Sequence, residues 1–257
     1  MMRRLTLFAW LLSLSPLTSQ AETVEFKGVL FYVHRFDPEK EKLEIFLGDP
    51  PGQPNTFLQL EKRLNAQGRQ LRFAMNSGIF EPTFLPSGLH VSEGKSIVKL
   101  NLTDFKKTRE NQFTPNFWLK PNGVFFLRGD GTAAIVESHR YARLKESPVL
   151  ATQSGPLLVD HGKIHPVLNE NSTSKRYRNG VGVTLDGKVL FACTHRDREK
   201  GLINLYNTAA FFRDKLGCPN ALYLDGDISC IYIRGETPSL KRSNWFSGIL
   251  AVTEAKP

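Results

Sequence analysis

Short apolar runs, each broken by a turn carrying glycine, asparagine or aspartate, recur along most of this chain and commit it to a β-rich fold. Val24 to Val33, Leu43 to Leu47 and Leu71 to Met75 are rich in apolar and aromatic residues. Leu89 to Val91 and Ser96 to Leu100 flank Glu93-Gly94, while Phe117 to Leu119 and Val124 to Leu127 flank Pro121-Asn122-Gly123; both read as hairpins. Thr132 to Val136, Leu157 to Val159, Val181 to Leu185 and Val189 to Ala192 continue the pattern, with turns at Asp160-His161-Gly162 and Asp186-Gly187. Two segments carry the helical period instead. One starts at a cap, Thr56, and runs through Phe57, Leu60 and Leu64 to a stop at Gly68; the other runs from Asn204 through Leu205, Ala209, Phe212 and Leu216 to Gly217 and Pro219. Many hairpins with few helices define the α+β class, here a mixed, mostly antiparallel sheet core with a few packed helices.

The first 21 residues are read as a secretory signal rather than part of the fold. Arg3 and Arg4 precede a short apolar core, Leu5 to Leu14, and Ser19-Gln20-Ala21 fits a small-residue cleavage site. That core is too short for a membrane span and no other long apolar run follows, so no stable span is expected. Residues 22–257 then form one domain, periplasmic or secreted, since neither a linker nor an internal repeat divides them. The formal charge of +9 includes the two arginines of the leader. The remaining excess suits an anionic partner, but the basic residues are scattered, which argues against nucleic acid. Cys193, Cys218 and Cys230 allow at most one disulfide and leave a free thiol.

Four strand ends are more polar than a turn requires. They are Met75-Asn76-Ser77-Gly78, Gln153-Ser154-Gly155-Pro156, Arg176-Tyr177-Arg178-Asn179-Gly180-Val181-Gly182 and Asp225-Gly226-Asp227-Ile228-Ser229. Small residues allow close backbone approach, an arginine fork suits phosphate or carboxylate, and paired aspartates suit acid–base chemistry. Strand ends gathered on one rim form a pocket from distant parts of a chain, so these four are expected to share one site. Competing chemistries thin out on inspection. The chain has no G-x-S-x-G elbow, H-E-x-x-H or P-loop, and Arg178 to Gly182 lacks the third glycine of a dinucleotide fingerprint. Asp225, Asp227, Ser229 and Glu236 fall at positions 1, 3, 5 and 12 of a calcium loop, but position 6 is Cys230 rather than glycine. No cofactor is therefore expected, calcium being the one weak alternative. His195 and the charged run Arg196 to Lys200 read as a solvated loop.

The ordered set "MNSGIF", "PSGLHVSEGK", "NFWLKPNGVFFL", "QSGPLLV", "RNGVGV" and "ALYLDGDIS" resembles the phosphodiester glycosidase family from about Phe26 to Val252. That resemblance implies cleavage of the bond between an anomeric carbon, typically of N-acetylglucosamine, and a phosphodiester oxygen. It assigns Asp225 and Arg178 to catalysis. Asn76, Ser77 and Gly78 match the family's asparagine–glycine turn, and Gly226 and Ser229 match its Asp-Gly loop. Gln153, Ser154, Gly155 and Asp227 complete the expected substrate contacts. Asp227 and Ile228 stand where the family's best-known member carries glycines, so the role of Asp227 is not fixed by the resemblance. The expected substrate is a sugar phosphate or envelope glycan; the alternative is a non-catalytic periplasmic protein that binds such a glycan on the same fold.

Overall fold

The computed structural model describes residues 22–108, 113–237, 240–242 and 244–257, so the leader and its cleavage site lie outside the described residues. The first apolar run is two strands rather than one. Lys27 and Gly28 both take positive φ (50° and 76°), the geometry of a tight hairpin turn, and split the run into β1 (Glu22–Phe26) and β2 (Val29–Phe36). β3 (Leu43–Leu47) leads to α1 (Phe57–Asn65), which starts where Thr56 Oγ1 accepts the Gln59 amide. β4 (Arg69–Asn76), β5 (His90–Ser92) and β6 (Lys95–Val98) follow, the last two paired across Glu93-Gly94 as expected.

The second expected hairpin is a correction. Asn116–Trp118 is a 3-10 turn that buries Phe117, and β7 (Gly123–Leu127) pairs instead with β8 (Ala133–Glu137) and with β9 (Leu150–Ser154). A short helix, α2 (Ser138–Tyr141), lies between β8 and β9, capped by the Glu137 carboxylate. β10 (Leu157–Asp160), β11 (Lys163–Ile164), β12 (Asn179–Val183) and β13 (Val189–Thr194) precede α3 (Leu205–Ala210), whose cap is Asn204. α3 widens into a π turn at Phe211–Lys215 and stops at Gly217, φ 68°. β14 (Asn220–Tyr223), β15 (Ile231–Ile233) and β16 (Gly248–Ala255) complete the chain.

Every strand pairing among the described residues is antiparallel, in three sheets. Their orders are β1-β2-β13-β12-β14-β10-β11, β15-β4-β16-β3 and β6-β5-β9-β7-β8. Strand alternation divides the apolar residues between two sides. Phe191, Val181 and Leu222 of the first sheet meet Phe73, Met75 and Leu250 of the second and Phe125 and Leu150 of the third in one central core. The outer faces are each closed by a helix. Leu190, Phe31 and Ala221 pack under α3 and its π turn, Leu71 and Ala251 under α1, and Phe126 and Val124 against Tyr141 of α2. The Gly-x-Gly of β12 serves this packing: a Cβ at Gly182 would sit 2.6 Å from Cys218 Sγ and 2.8 Å from a Phe212 ring carbon. All three cysteines are buried thiols whose pKa is raised by that burial, which keeps them unreactive.

Candidate active site

The three sheets converge at the ends of β4, β9, β12 and β14, which are the four polar strand ends of the sequence. Short polar side chains staple them. Asn179 donates Nδ2 to the Asn76 carbonyl (3.1 Å) and Oδ1 (2.9 Å), tying the first sheet to the second. Its own Oδ1 accepts the Asp225 amide at 2.9 Å and lies 3.4 Å from Ser229 Oγ. Ser154 Oγ accepts the Ile79 amide and donates to the Leu224 carbonyl at 2.8 Å, tying in the third sheet. Gly78 is small because a Cβ there would stand 2.6 Å from the Gln153 carbonyl. The expected convergence is present as a hydrogen-bonded node.

Only some of the expected residues open onto the adjoining cavity of about 780 Å³. Arg178, Asp225, Gly226 and Asp227 line it, with Arg176 and Tyr223; Asn76, Ser77, Gly78, Gln153, Ser154, Gly155 and Ser229 do not. Gln153 is buried and uses all four hydrogen-bonding positions of its amide within the fold. Oε1 accepts the Leu89 and Asn101 amides, and Nε2 donates to the Asn101 carbonyl and Ser138 Oγ. Asn76 Oδ1 accepts the Cys230 amide as well as Asn179. Ser77 is held by its amide to the Gly248 carbonyl, and Gly155 is pressed against Asn122 and the Phe117 carbonyl. Ser229 closes the aspartate turn, its amide donating to Gly226 O and its hydroxyl to Asp225 O. These residues hold the walls of the cavity rather than face its space.

At the polar end stands Arg178, only 4 % exposed. Its guanidinium donates to three neutral oxygens: Tyr223 Oη (2.8 Å), Ile203 O (3.3 Å) and Ser174 O (3.3 Å). It also lies over the Tyr223 ring, 5.3 Å from the centroid. Among the described residues no carboxylate approaches it within 4.0 Å. A buried cation with neutral partners only is costly unless an anion shares its site. Asp225, partly buried, accepts the Gly226 amide on Oδ1 at 2.6 Å. Burial lifts its carboxyl to about 6; the Gly226 hydrogen bond and Arg178 pull it down, and Asp227 pushes it up. Asp227 is exposed and pairs with Arg176 at 3.4 Å.

Sequence reasoning missed three contributors. Tyr223 is two residues before Asp225 on the same strand line, so alternation alone puts both on one face. Asn179 follows Arg178 and faces the opposite way, into the node. Arg196 lies in the run read as a solvated loop, yet its Nη1 donates to the Asp227 and Ser229 carbonyls and its guanidinium covers the Tyr177 ring. No local pattern announces that clamp. β15 lies between Asp225 and Glu236, so the proposed calcium positions are split by a strand, and no described residues group as a metal site.

A cavity that brings a buried arginine together with a carboxyl of raised pKa marks a candidate functional site. The phosphodiester glycosidase profile matches residues 69–243, and this chain belongs to that family. It is 33% identical over 200 residues to the uncharacterized protein YigE of Escherichia coli K12, covering 77% of this chain and 72% of that one. Its fold is shared with the catalytic domain of zebrafish N-acetylglucosamine-1-phosphodiester alpha-N-acetylglucosaminidase, auto-inhibited there by a pro-peptide. The TM-score is 0.60 at 17% identity, over 91% of this chain and 81% of that one. A hypothetical protein from Synechocystis is similar in fold at a TM-score of 0.55 and 15% identity, over 91% and 61%. No helix among the described residues is long and apolar enough to cross a membrane.

Proposed function

We propose that this protein is an exported hydrolase that cleaves the glycosidic bond of a sugar-1-phosphodiester of the N-acetylglucosamine type, releasing free sugar and a phosphomonoester. The carrying observation is the buried Arg178 guanidinium, without a carboxylate partner, in one cavity with Asp225. The diester anion supplies the charge that Arg178 lacks. A phosphomonoester is a good leaving group, so the step needs little protonation of the departing oxygen. It needs a negative charge beside the oxocarbenium-like anomeric carbon. Asp225 in its ionised form supplies that charge, as nucleophile or as base for the attacking water. With its carboxyl at about 6, the rate should rise with pH through that value. Tyr223 and Ser174 fix the guanidinium in place and Asn179 fixes the aspartate turn, so both charged groups are held before substrate arrives.

The test is to incubate the pure protein with a panel of sugar-1-phosphodiesters and assay free reducing sugar and phosphomonoester together. Equal release of both supports the reading. Tight binding of a diester without release of either sinks it in favour of a glycan-binding module.

A further inference from the structure

The cavity has a second, chemically different wall. Phe80, Phe113, Leu119, Val167 and Leu168 line it, and none of these side chains can hydrogen-bond. Phe113 and Val167 are 71% and 59% exposed, among the most exposed large apolar residues described. Three separate loops supply the wall, and Phe80, Leu119 and Val167 are each held by a contact within their own loop. Phe80 bridges Pro86 and stacks on Phe84, 5.4 Å between centroids. Leu119 ends the 3-10 turn, its amide bonded to the Asn116 carbonyl at 3.1 Å. Val167 is held by its amide to Nδ1 of buried His165, whose own amide bonds Leu158 O, and the Leu168 amide returns to His165 O. The exposure of Val167 is therefore built in by a fixed turn. In the next loop Asn169 Oδ1 accepts the Asn171 amide and Ser172 Oγ the Ser174 amide, while Thr114 and Asn116 bring polar groups to the lining beside Phe113. A clustered apolar face on a ligand cavity marks what the ligand presents there.

Resting on the reading above, we propose that this wall receives the group esterified on the far side of the phosphate, and that this group is an aliphatic alcohol rather than a second sugar. Arg178 and Asp225 take the sugar phosphate; the apolar wall takes the chain.

Three diesters of one sugar-1-phosphate test this: methyl, n-hexyl and the 6-hydroxyl of a hexose. The leaving phosphate oxygen is separated from the variable group by phosphorus, so differences report binding. The hexyl ester should exceed both others in kcat/KM by at least ~10-fold, since burying about two of its extra methylenes is enough. Val167→Asp, at an exposed position, should bring the hexyl-to-methyl ratio close to one. A hexose ester that is preferred, or a ratio near one in the wild type, overturns the proposal while leaving the hydrolase reading intact. A second measurement needs no turnover: calorimetry of hexyl phosphate against methyl phosphate. If no diester is cleaved, at least ~10-fold tighter binding of hexyl phosphate, lost in Val167→Asp, keeps the subsite and discards the hydrolase reading; equal binding discards the subsite. A long-chain diester held in phosphatidylcholine vesicles and cleaved as readily as the soluble hexyl ester assigns a lipid-held source, and cleavage of the soluble ester alone a free one.

Discussion

Gln153 and Asp225 both end an apolar strand with a polar side chain, a few bonds apart across the same node, yet the fold treats them in opposite ways. Gln153 is buried with each donor and acceptor matched, bracing Leu89, Asn101 and Ser138. Asp225 accepts the Gly226 amide on its side chain and is held where burial disfavours its charge. One residue makes the junction stable; the other is kept at a cost on the cavity beside it. A polar strand end in sequence is thus two different objects, told apart by where its hydrogen bonds go.

The largest effect should come from the cavity side. Asp225→Asn preserves shape but removes the charge that stabilises a cationic transition state, so turnover should fall by at least ~10²-fold. Its stability should move the other way. The carboxyl is raised from 3.8 to about 6 in the fold, so its contribution is full below 3.8 and lost as pH rises through 6. At pH 7 the variant should therefore melt no lower than the wild type. Arg178→Ala should weaken binding and rate together, because the phosphate is charged in the ground state too. An Asp225→Asn enzyme with full turnover would move the chemistry elsewhere, with Asp227 the first residue to test.

Gln153→Leu should invert that outcome. It strands the buried Leu89 amide and the half-buried Asn101 amide, at a loss of about 2 kcal/mol in a denaturant titration. Turnover per folded molecule should stay within ~3-fold. Unchanged stability with a lost rate would place Gln153 among the substrate contacts after all.

Much of this architecture was legible. Thr56, Asn204, Gly68 and Gly217 marked the helix limits because caps and stops are local chemistry. The hairpin split at Lys27-Gly28 is hidden because its two-residue turn sits inside a stretch rich in apolar residues on both sides, and Phe117 reads as a strand residue because a 3-10 turn that buries one aromatic looks the same over so short a stretch. In the site, the four strand ends were visible as excess polarity and their convergence followed. Which of them faced the cavity was not, because that depends on partners such as Asn101 and Ser138 that are distant in sequence. The same holds for Arg196, whose acceptors are backbone carbonyls of another loop.

A third kind of buried polar group sharpens the contrast. His90, on β5 opposite Thr152, is buried with neither ring nitrogen hydrogen-bonded, and burial lowers its pKa to about 4. Its neutral form is favoured, so its stability contribution is full above 6.5 and lost as pH falls through 4. That should cost about 2 kcal/mol between pH 7 and pH 5. Asp225 works against it, gaining stability over the same window. Denaturation at pH 7 and pH 5 should show a shallower acid loss in His90→Leu and a steeper one in Asp225→Asn. Identical pH slopes in all three proteins would remove both groups from the account.

The smallest effect belongs to the exposed pair at the cavity mouth. Arg176 and Asp227 are both more than half exposed, so their 3.4 Å contact contributes little to stability and Arg176→Ala should melt with the wild type. Its influence on Asp225 is indirect. Arg176 partly neutralises Asp227, whose charge raises the Asp225 pKa. Without Arg176 the Asp227 charge stands uncompensated, which disfavours a second negative charge nearby. The acid limb of the pH–rate profile should then move upward from about 6. Because the pair faces solvent, added salt should screen the effect and return the limb toward its wild-type position. Asp227→Asn should move it the other way. A limb that stays put in both variants would mean that burial, the Gly226 amide and Arg178 set the acidity of Asp225, and that Asp227 is a bystander at the mouth rather than a tuner of the acid within.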